Sequence, residues 1–438
     1  MTGLDAFFRP RSVAVVGASR RRGAVGRRIL ESLIAADFAG PVYAINPDAD
    51  HVGPHPCHAS LAAVGARVDL AVVAVPAEAV ADVVSEAVDH GVKGLIVVSA
   101  GFAEAGEEQR QRDLLERLAG SGTRMIGPNC LGVVHTDPDV RLHASFAPST
   151  PGPGSVALCS QSGALGVAVV ETVRRAGLGL RSMVSIGNAA DVGVRDLLAA
   201  WGDDPDVSTI LLYLESFDDP RALATTAREV AAAKPIFAVK AGRTEVGSAA
   251  AASHTASLAG ADTAADELLR DAGIVRVDTL QGMLDAARFC EAQDPPPGPR
   301  LCVVTNSGGP GILVADAASN AGFDVAEASE GLRGRLARAL PSTAATANPI
   351  DMLASATTDR YREVVGEVVA SGEYDAIVVV YTEIEVANLD ELGAAVAAAT
   401  ADARCAVLAV VVGSADAPAG LGDGERRIPV YRTPAAAV

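Results

Sequence analysis

Short apolar runs of strand length recur along this chain, and stretches of helical pattern separate them. Ser12-Val-Ala-Val-Val-Gly17 comes first. Val42-Tyr-Ala-Ile45, Leu70–Val75, Gly94–Ser99 and Arg124–Ile126 follow. Continuously apolar strands are buried on both faces, and interleaved helices are what cover those faces, so the pattern predicts a parallel sheet. The pattern restarts twice. A Pro/Gly stretch at Pro148–Gly154 precedes runs at Ser155–Cys159, Arg181–Ser185, Thr209–Leu214 and Ile236–Lys240. A second break at Pro295–Pro299 precedes Leu301–Thr305, Ala376–Tyr381 and Ala406–Val412. The expectation is an α/β chain of three consecutive doubly wound parallel-sheet units, spanning residues 1–147, 148–294 and 295–438.

Composition narrows the function classes. A net charge of −18 argues against bulk nucleic-acid or anionic-membrane binding. No apolar run is long enough for a membrane span, and the N-terminus lacks a basic-then-apolar signal. The six cysteines form no CxxC pair and read as reduced, which fits a cytoplasmic protein. His51, His55, Cys57 and His58 crowd one segment, but Pro54 and Pro56 interrupt them and no second ligand cluster follows. They read as loop residues, and no metal site is expected. His90 reads as a helix-end residue before Gly91, and His135 and His143 receive no role.

Each unit opens with a strand feeding a Gly- or Ser-rich turn, where an anion can meet a helix N-terminus. The first turn runs from Gly17 to Gly26, with Ser19, Arg20, Gly23 and Val25 between. It fails as a dinucleotide fingerprint. Ser19 occupies the second glycine position, and the next strand ends in Asn46-Pro47 instead of an acidic residue. A nicotinamide-dependent dehydrogenase is therefore disfavoured. Arg20, Arg21, Arg22, Arg27 and Arg28 suit a ligand with several phosphates, such as coenzyme A. The second turn, Ser160–Gly166, offers the amides and hydroxyl of Ser162, Gly163 and Ala164. It fits an anion cradle and an ordinary capped helix equally. The third, Thr305–Gly311, presents Asn306, Ser307, Gly308 and Gly309 as another such nest. Neither is a Walker A loop.

His254 stands in Ser253-His-Thr-Ala-Ser-Leu-Ala-Gly260, among residues too small to pack it into a core. Imidazole is a nucleophile that can carry a phosphoryl group. Glu215 ends the strand Thr209–Leu214, where a carboxylate could fix the tautomer of a histidine.

Together these stretches resemble the NDP-forming acyl-CoA synthetase superfamily, in particular the α-type chain of ADP-forming acetate–CoA ligases. Gly127-Pro-Asn-Cys-Leu-Gly132, Ser185–Asp191, Tyr213–Ser216 and Asn348–Asp351 complete the set, and all eight occur in family order over essentially the whole chain. The resemblance implies a Rossmann-like CoA-binding domain followed by two flavodoxin-like ligase domains. It implies that His254 is the phosphorylated residue and Glu215 its stabilising carboxylate. The Ser162–Ala164 and Asn306–Gly309 turns would then hold the phosphoryl group, and CoA would lie across Gly17–Gly26 and near Asn46-Pro47. Ala256 departs from the glycine of many relatives, adding a methyl beside the histidine. The substrates implied are CoA, phosphate and a small organic acid, handled in an oligomer. The ADP/ATP and Mg chemistry would need an ATP-grasp part that these residues do not supply, either a β chain or a C-terminal continuation. A non-catalytic acyl-CoA-binding regulatory module is the alternative, and the retained His254 and Glu215 argue against it.

Overall fold

The computed structural model describes residues 3–175, 177–247, 262–383, 388–413, 418, 420–421 and 427–438. The chain divides into two compact units, Met1–Leu284 and Asp285–Val438. None of the described helices is long and apolar enough to cross a membrane.

The first unit holds two sheets. In the first, β1 (Val13–Val16), β2 (Val42–Ile45), β3 (His51–Val52), β4 (His55–His58), β5 (Leu70–Val73), β6 (Gly94–Val97) and β7 (Arg124–Ile126) are ordered β3-β4-β2-β1-β5-β6-β7. All neighbours are parallel except the β3–β4 pair. β1, β5 and β6 are buried at every position, as their unbroken apolar runs require. Each fully buried Val or Leu there contributes roughly 1.5–3 kcal/mol relative to exposure. The helices Val25–Ala35 and Ala77–Asp89 turn Ile29, Leu30 and Leu33, and Val80, Val84 and Ala87, onto the sheet.

The second sheet comprises β8 (Gly132–His135), β9 (Leu142–Ser145), β10 (Pro153–Ser160), β11 (Leu180–Ser185), β12 (Thr209–Leu214), β13 (Ile236–Lys240) and β14 (Val275–Arg276), ordered β14-β13-β12-β10-β11-β8-β9. β8 and β9 precede the Pro/Gly stretch, yet β8 pairs antiparallel with β11. The sheet thus draws strands from both sides of that stretch. Loops of the two layers also lock together. Asn188 N–H and Ala190 N–H donate to the carbonyls of Pro128 and Gly127. Arg124 Nε reaches both carboxylate oxygens of Asp191, which also accepts from Met125 N–H at 2.7 Å. A Cβ on Gly187 (φ +54°) would stand 2.3 Å from the carbonyl oxygens of Pro128 and Asn129, so only glycine lets these loops approach so closely.

The second unit holds β15 (Leu301–Thr305), β16 (Ile350–Asp351), β17 (Ala376–Thr382), β18 (Ala406–Val412) and β19 (Val430–Tyr431), parallel and ordered β16-β15-β17-β18-β19. The α/β architecture with three mostly parallel sheets is the one expected from the alternating pattern.

Candidate active site

In each sheet the strand before a Gly/Ser-rich turn has neighbours reached by connections on opposite sides, which opens a crevice at its carboxyl end. In the second sheet that strand is β10, flanked by β11 and β12. Ser160 Oγ donates to Ser162 O at 2.6 Å and accepts from Ser162 N–H at 3.2 Å, closing a tight turn. The helix Gly163–Arg175 begins there. Ser162 Oγ accepts from Leu165 N–H at 3.4 Å, a long capping contact. The amides of Gly163 and Ala164 lie in the first turn, where no intrahelical acceptor exists, and Ala164 is exposed. The capped helix and the open amides therefore coexist.

Gln161 joins this turn to Glu215. Its Oε1 accepts from the backbone N–H of Glu215 and, at 3.0 Å, from that of Ser216. Its Nε2 donates to Ser216 O at 3.2 Å, and its own N–H donates to Tyr213 O. Glu215 is half-buried at the end of β12. From β13, Lys240 Nζ donates to the carbonyls of Glu215 (2.9 Å) and Ala241 (2.6 Å), with its cation 5.6 Å from the centre of the Phe217 ring. Burial, followed by the charge of Arg276, lowers the Lys240 pKa below the usual amine value. Glu215 and the Ser162–Ala164 turn are thus held on adjacent strands by one carboxamide. Of the remaining catalytic expectations, His254 lies outside the described residues, as does Ala256.

The Gly127–Gly132 stretch borders this crevice. Leu131 N–H donates to Ser185 Oγ at 3.0 Å, and Asn129 Nδ2 to Asn188 Oδ1 at 3.3 Å. Asn188 Nδ2 in turn reaches Glu104 Oε2 (2.5 Å) and Gln111 Oε1 (2.9 Å). The sequence reading gave Gln161, Asn188 and Lys240 no roles of their own. Gln161 and Asn188 lay inside stretches already singled out, but a side-chain amide declares its partners only once the strands are paired. Cys130 is buried, and burial pushes its thiol up to about 12, so it stays protonated and is no nucleophile at neutral pH.

The second unit repeats the local construction. Thr305 Oγ1 donates to Ser307 O at 2.8 Å and accepts from Ser307 N–H at 3.0 Å. Asn306 clasps the end of β17 with a reciprocal pair of 2.9 Å bonds to Thr382. The helix Gly308–Asn320 starts there, with Gly308 and Gly309 exposed and no side-chain cap on its N-terminus. The described nest is therefore open to an anion.

At the first sheet, β1 lies between β2 and β5. Gly17 has φ +92°, and a Cβ there would stand 2.4 Å from Ala74 O, so only glycine fits at this crossing. Asn46 Nδ2 donates to Ala18 O at 2.6 Å, and Asn46 Oδ1 accepts from Asp48 N–H. Asn46 therefore holds the turn in shape. Ser19 Oγ accepts from Arg21 N–H, and Arg20 donates to Asp48 O. Arg20, Arg21, Arg22, Gly23 and Pro47 are exposed, and Val25 is 39% exposed at the rim. Arg27 and Arg28 are committed elsewhere, to Glu31 and to Phe146 O. The turn suits a polyphosphate ligand met by the exposed guanidiniums of Arg20, Arg21 and Arg22. His51, His55, Cys57 and His58 form the β3–β4 edge hairpin.

Comparison with known proteins follows the same division. A family model described as a CoA binding domain matches residues 11–136, and one described as a succinyl-CoA ligase like flavodoxin domain matches residues 153–290. The α subunit of acetate–CoA ligase [ADP-forming] I of Pyrococcus furiosus is 36% identical over 89% of this chain and 85% of its own length. An acetate–CoA ligase [ADP-forming] of Methanocaldococcus jannaschii is 37% identical over 80% of this chain, which spans only 49% of that longer relative. Among solved structures, a Ca. Korarchaeum cryptofilum acetyl-coenzyme A synthetase 1 in complex with phosphate and ADP superimposes with a TM-score of 0.93. It is 34% identical, and the match covers 100% of this chain and 95% of that one.

Proposed function

Because this chain belongs to the family of ADP-forming acetate–CoA ligases, in its α-chain form, we propose that it interconverts acyl-CoA, phosphate and ADP with acid, CoA and ATP through an acyl phosphate and a phosphohistidine. The observation that carries this reading is the Gln161 clasp, which sets the Ser162–Ala164 amides beside Glu215 at one crevice.

In the proposed sequence, a phosphate oxygen attacks the thioester carbon. The C–O bond forms, the C–S bond breaks, and the departing sulfur takes a proton to leave CoA. His254 then attacks the phosphorus of the acyl phosphate, the P–O bond to the acyl group breaks, and the acid departs as its carboxylate. The phosphoryl group finally passes to ADP on an ATP-grasp part, which would be a separate chain or a further domain. Fixed amide dipoles favour the negative charge that develops on phosphorus-bound oxygens. Glu215 orients the imidazole and stabilises its cation, an effect of roughly 10²–10⁴ in rate. Arg20, Arg21 and Arg22 would bind the phosphates of CoA across the first turn. Ser307, Gly308 and Gly309 would provide a second set of amides for the phosphoryl group. The protein is incubated with acyl-CoA and labelled phosphate, without nucleotide. The reading expects an acid-labile, base-stable phosphate on the chain, lost in His254→Ala; equal labelling of that variant would overturn it.

A further inference from the structure

Both backbone polar groups of Glu215 are held by side chains. Gln161, from the turn after β10, accepts from its N–H. Lys240, at the end of β13, donates to its carbonyl at 2.9 Å and to Ala241 O at 2.6 Å. Lys240 is braced in turn from β14. Arg276 donates to Lys240 O at 3.4 Å and pairs with Asp262 and Asp266 of the helix Asp262–Asp271. One run of contacts thus joins Glu215 to Ala241 and to Asp262, which lie on either side of the His254-bearing stretch in sequence.

A tie of this kind does not require an amine. Hydroxyl and carboxamide side chains make such ties in the same crevice, as Ser160 and Gln161 do. A half-buried ammonium carries a desolvation cost that two carbonyl bonds offset only in part. Burial, followed by the charge of Arg276, lowers the Lys240 amine below its usual range, while Asp262 and Glu215 act the other way. The contacts of Nζ are two carbonyls and the face of the Phe217 ring, none of them a carboxylate. Two of the three ammonium N–H groups are thereby engaged. The charge is not cancelled by an ion pair in contact with it, and at this depth its field reaches the Glu215 carboxylate weakly screened.

We propose that Lys240 is a positioning residue for phosphoryl transfer to His254: it fixes the backbone of Glu215 against β13 and sets a cation beside that carboxylate. The inference rests on the phosphohistidine reading above. In that step the imidazole gains a bond to phosphorus and a positive charge, which Glu215 offsets. The preceding attack of phosphate on the thioester makes no use of Glu215 in the proposed sequence. Lys240 therefore bears on the second step more than on the first. A side chain acting through Glu215 can lose no more than Glu215 itself contributes, roughly 10²–10⁴ in rate.

The test supplies the full chain with acetyl-CoA and labelled phosphate, without nucleotide, and measures two rates in separate samples. One is protein-bound phosphate. The other is acyl phosphate trapped by hydroxylamine, counting only phosphate-dependent hydroxamate. Lys240→Met keeps the length of the side chain and removes its donors and charge. It should lower the ratio of labelling to hydroxamate ~10-fold or more. Lys240→Arg keeps both properties and should restore the ratio to within about threefold of wild type. CoA-binding calorimetry checks that each variant is folded. Should Lys240→Met lose CoA binding, Lys240→Gln, which still donates but is uncharged, must lower the same ratio. An unmoved ratio in the uncharged variants, or a Lys240→Arg protein no better than Lys240→Met, overturns the positioning role alone. Labelling and hydroxamate falling in parallel overturns it too, because that marks a general distortion of the crevice. A wild-type chain that acquires no phosphate overturns the phosphohistidine reading together with it.

Discussion

Gln161 offers the sharpest link between stability and chemistry in this protein. Its carboxamide accepts from two backbone amides, Glu215 and Ser216, and donates to Ser216 O. Gln161→Leu keeps the bulk and removes all three bonds. Each amide left without a partner in a half-buried place costs about 1–3 kcal/mol, less where water can enter, so the loss should be about 2–4 kcal/mol. Gln161→Glu keeps an acceptor for both amides but loses the donor and sets a second carboxylate beside Glu215. It should cost less stability yet still slow phosphorylation of the chain. Urea unfolding monitored at Trp201, which is buried in the first unit, reads the stability. Labelling by acyl-CoA and phosphate reads the chemistry. Gln161→Leu should lose tenfold or more in labelling rate while CoA binding holds. A Gln161→Leu protein with wild-type midpoint and labelling rate would refute the argument that this clasp positions Glu215.

Three further outcomes are expected. Glu215→Gln should sharply reduce phosphohistidine formation while leaving CoA affinity and the thermal midpoint nearly unchanged; normal labelling would remove Glu215 from the mechanism. Replacing Arg20, Arg21 and Arg22 together with alanine should weaken CoA binding tenfold or more and flatten its salt dependence in calorimetry, because the lost contacts are to phosphates. His135 and His143 are buried, and burial lowers both to about 4 from an ordinary 6.5. The unfolded chain therefore binds more protons between those values, so stability is present above pH 6.5 and is lost as pH falls towards 4. From pH 7 to pH 5 the loss is about 2 kcal/mol per ring, and a His135→Gln, His143→Gln protein should show a correspondingly smaller drop in urea midpoint.

The long parallel strands were legible because doubly buried strands must be apolar throughout, as Leu70–Val73 and Ala406–Val412 are. The turns after β1, β10 and β15 were legible for a related reason: small and hydroxylated residues directly after a strand mark a crossing where the chain must bend tightly. The β8–β9 pair was not legible. Gly132–His135 and Leu142–Ser145 are short, and their antiparallel place beside β11 depends on partners distant in sequence. The Pro/Gly stretch read as a boundary, yet β10 already begins at Pro153. Two-residue strands such as Val275–Arg276 and Val430–Tyr431 carry no periodicity at all. In the site, Glu215 and Ser162 were visible by position, whereas Gln161, Lys240 and Asn188 act through hydrogen bonds that exist only after the sheets assemble. Asn46, expected near CoA, also braces the first turn through bonds to Ala18 and Asp48, a use that residue type alone does not reveal.

The account stands most directly on the stoichiometry of one half-reaction. The chain is mixed with acyl-CoA and labelled phosphate without nucleotide, and the reaction is quenched over a time course. Free CoA thiol and protein-bound phosphate are measured in the same samples, and the phosphorylated peptide is located by mass spectrometry at high pH. The account predicts a burst in which one CoA is released for each phosphoryl group bound, with that group on His254. Thiol release with no protein-bound phosphate, or a phosphate that maps to any other residue, would contradict it.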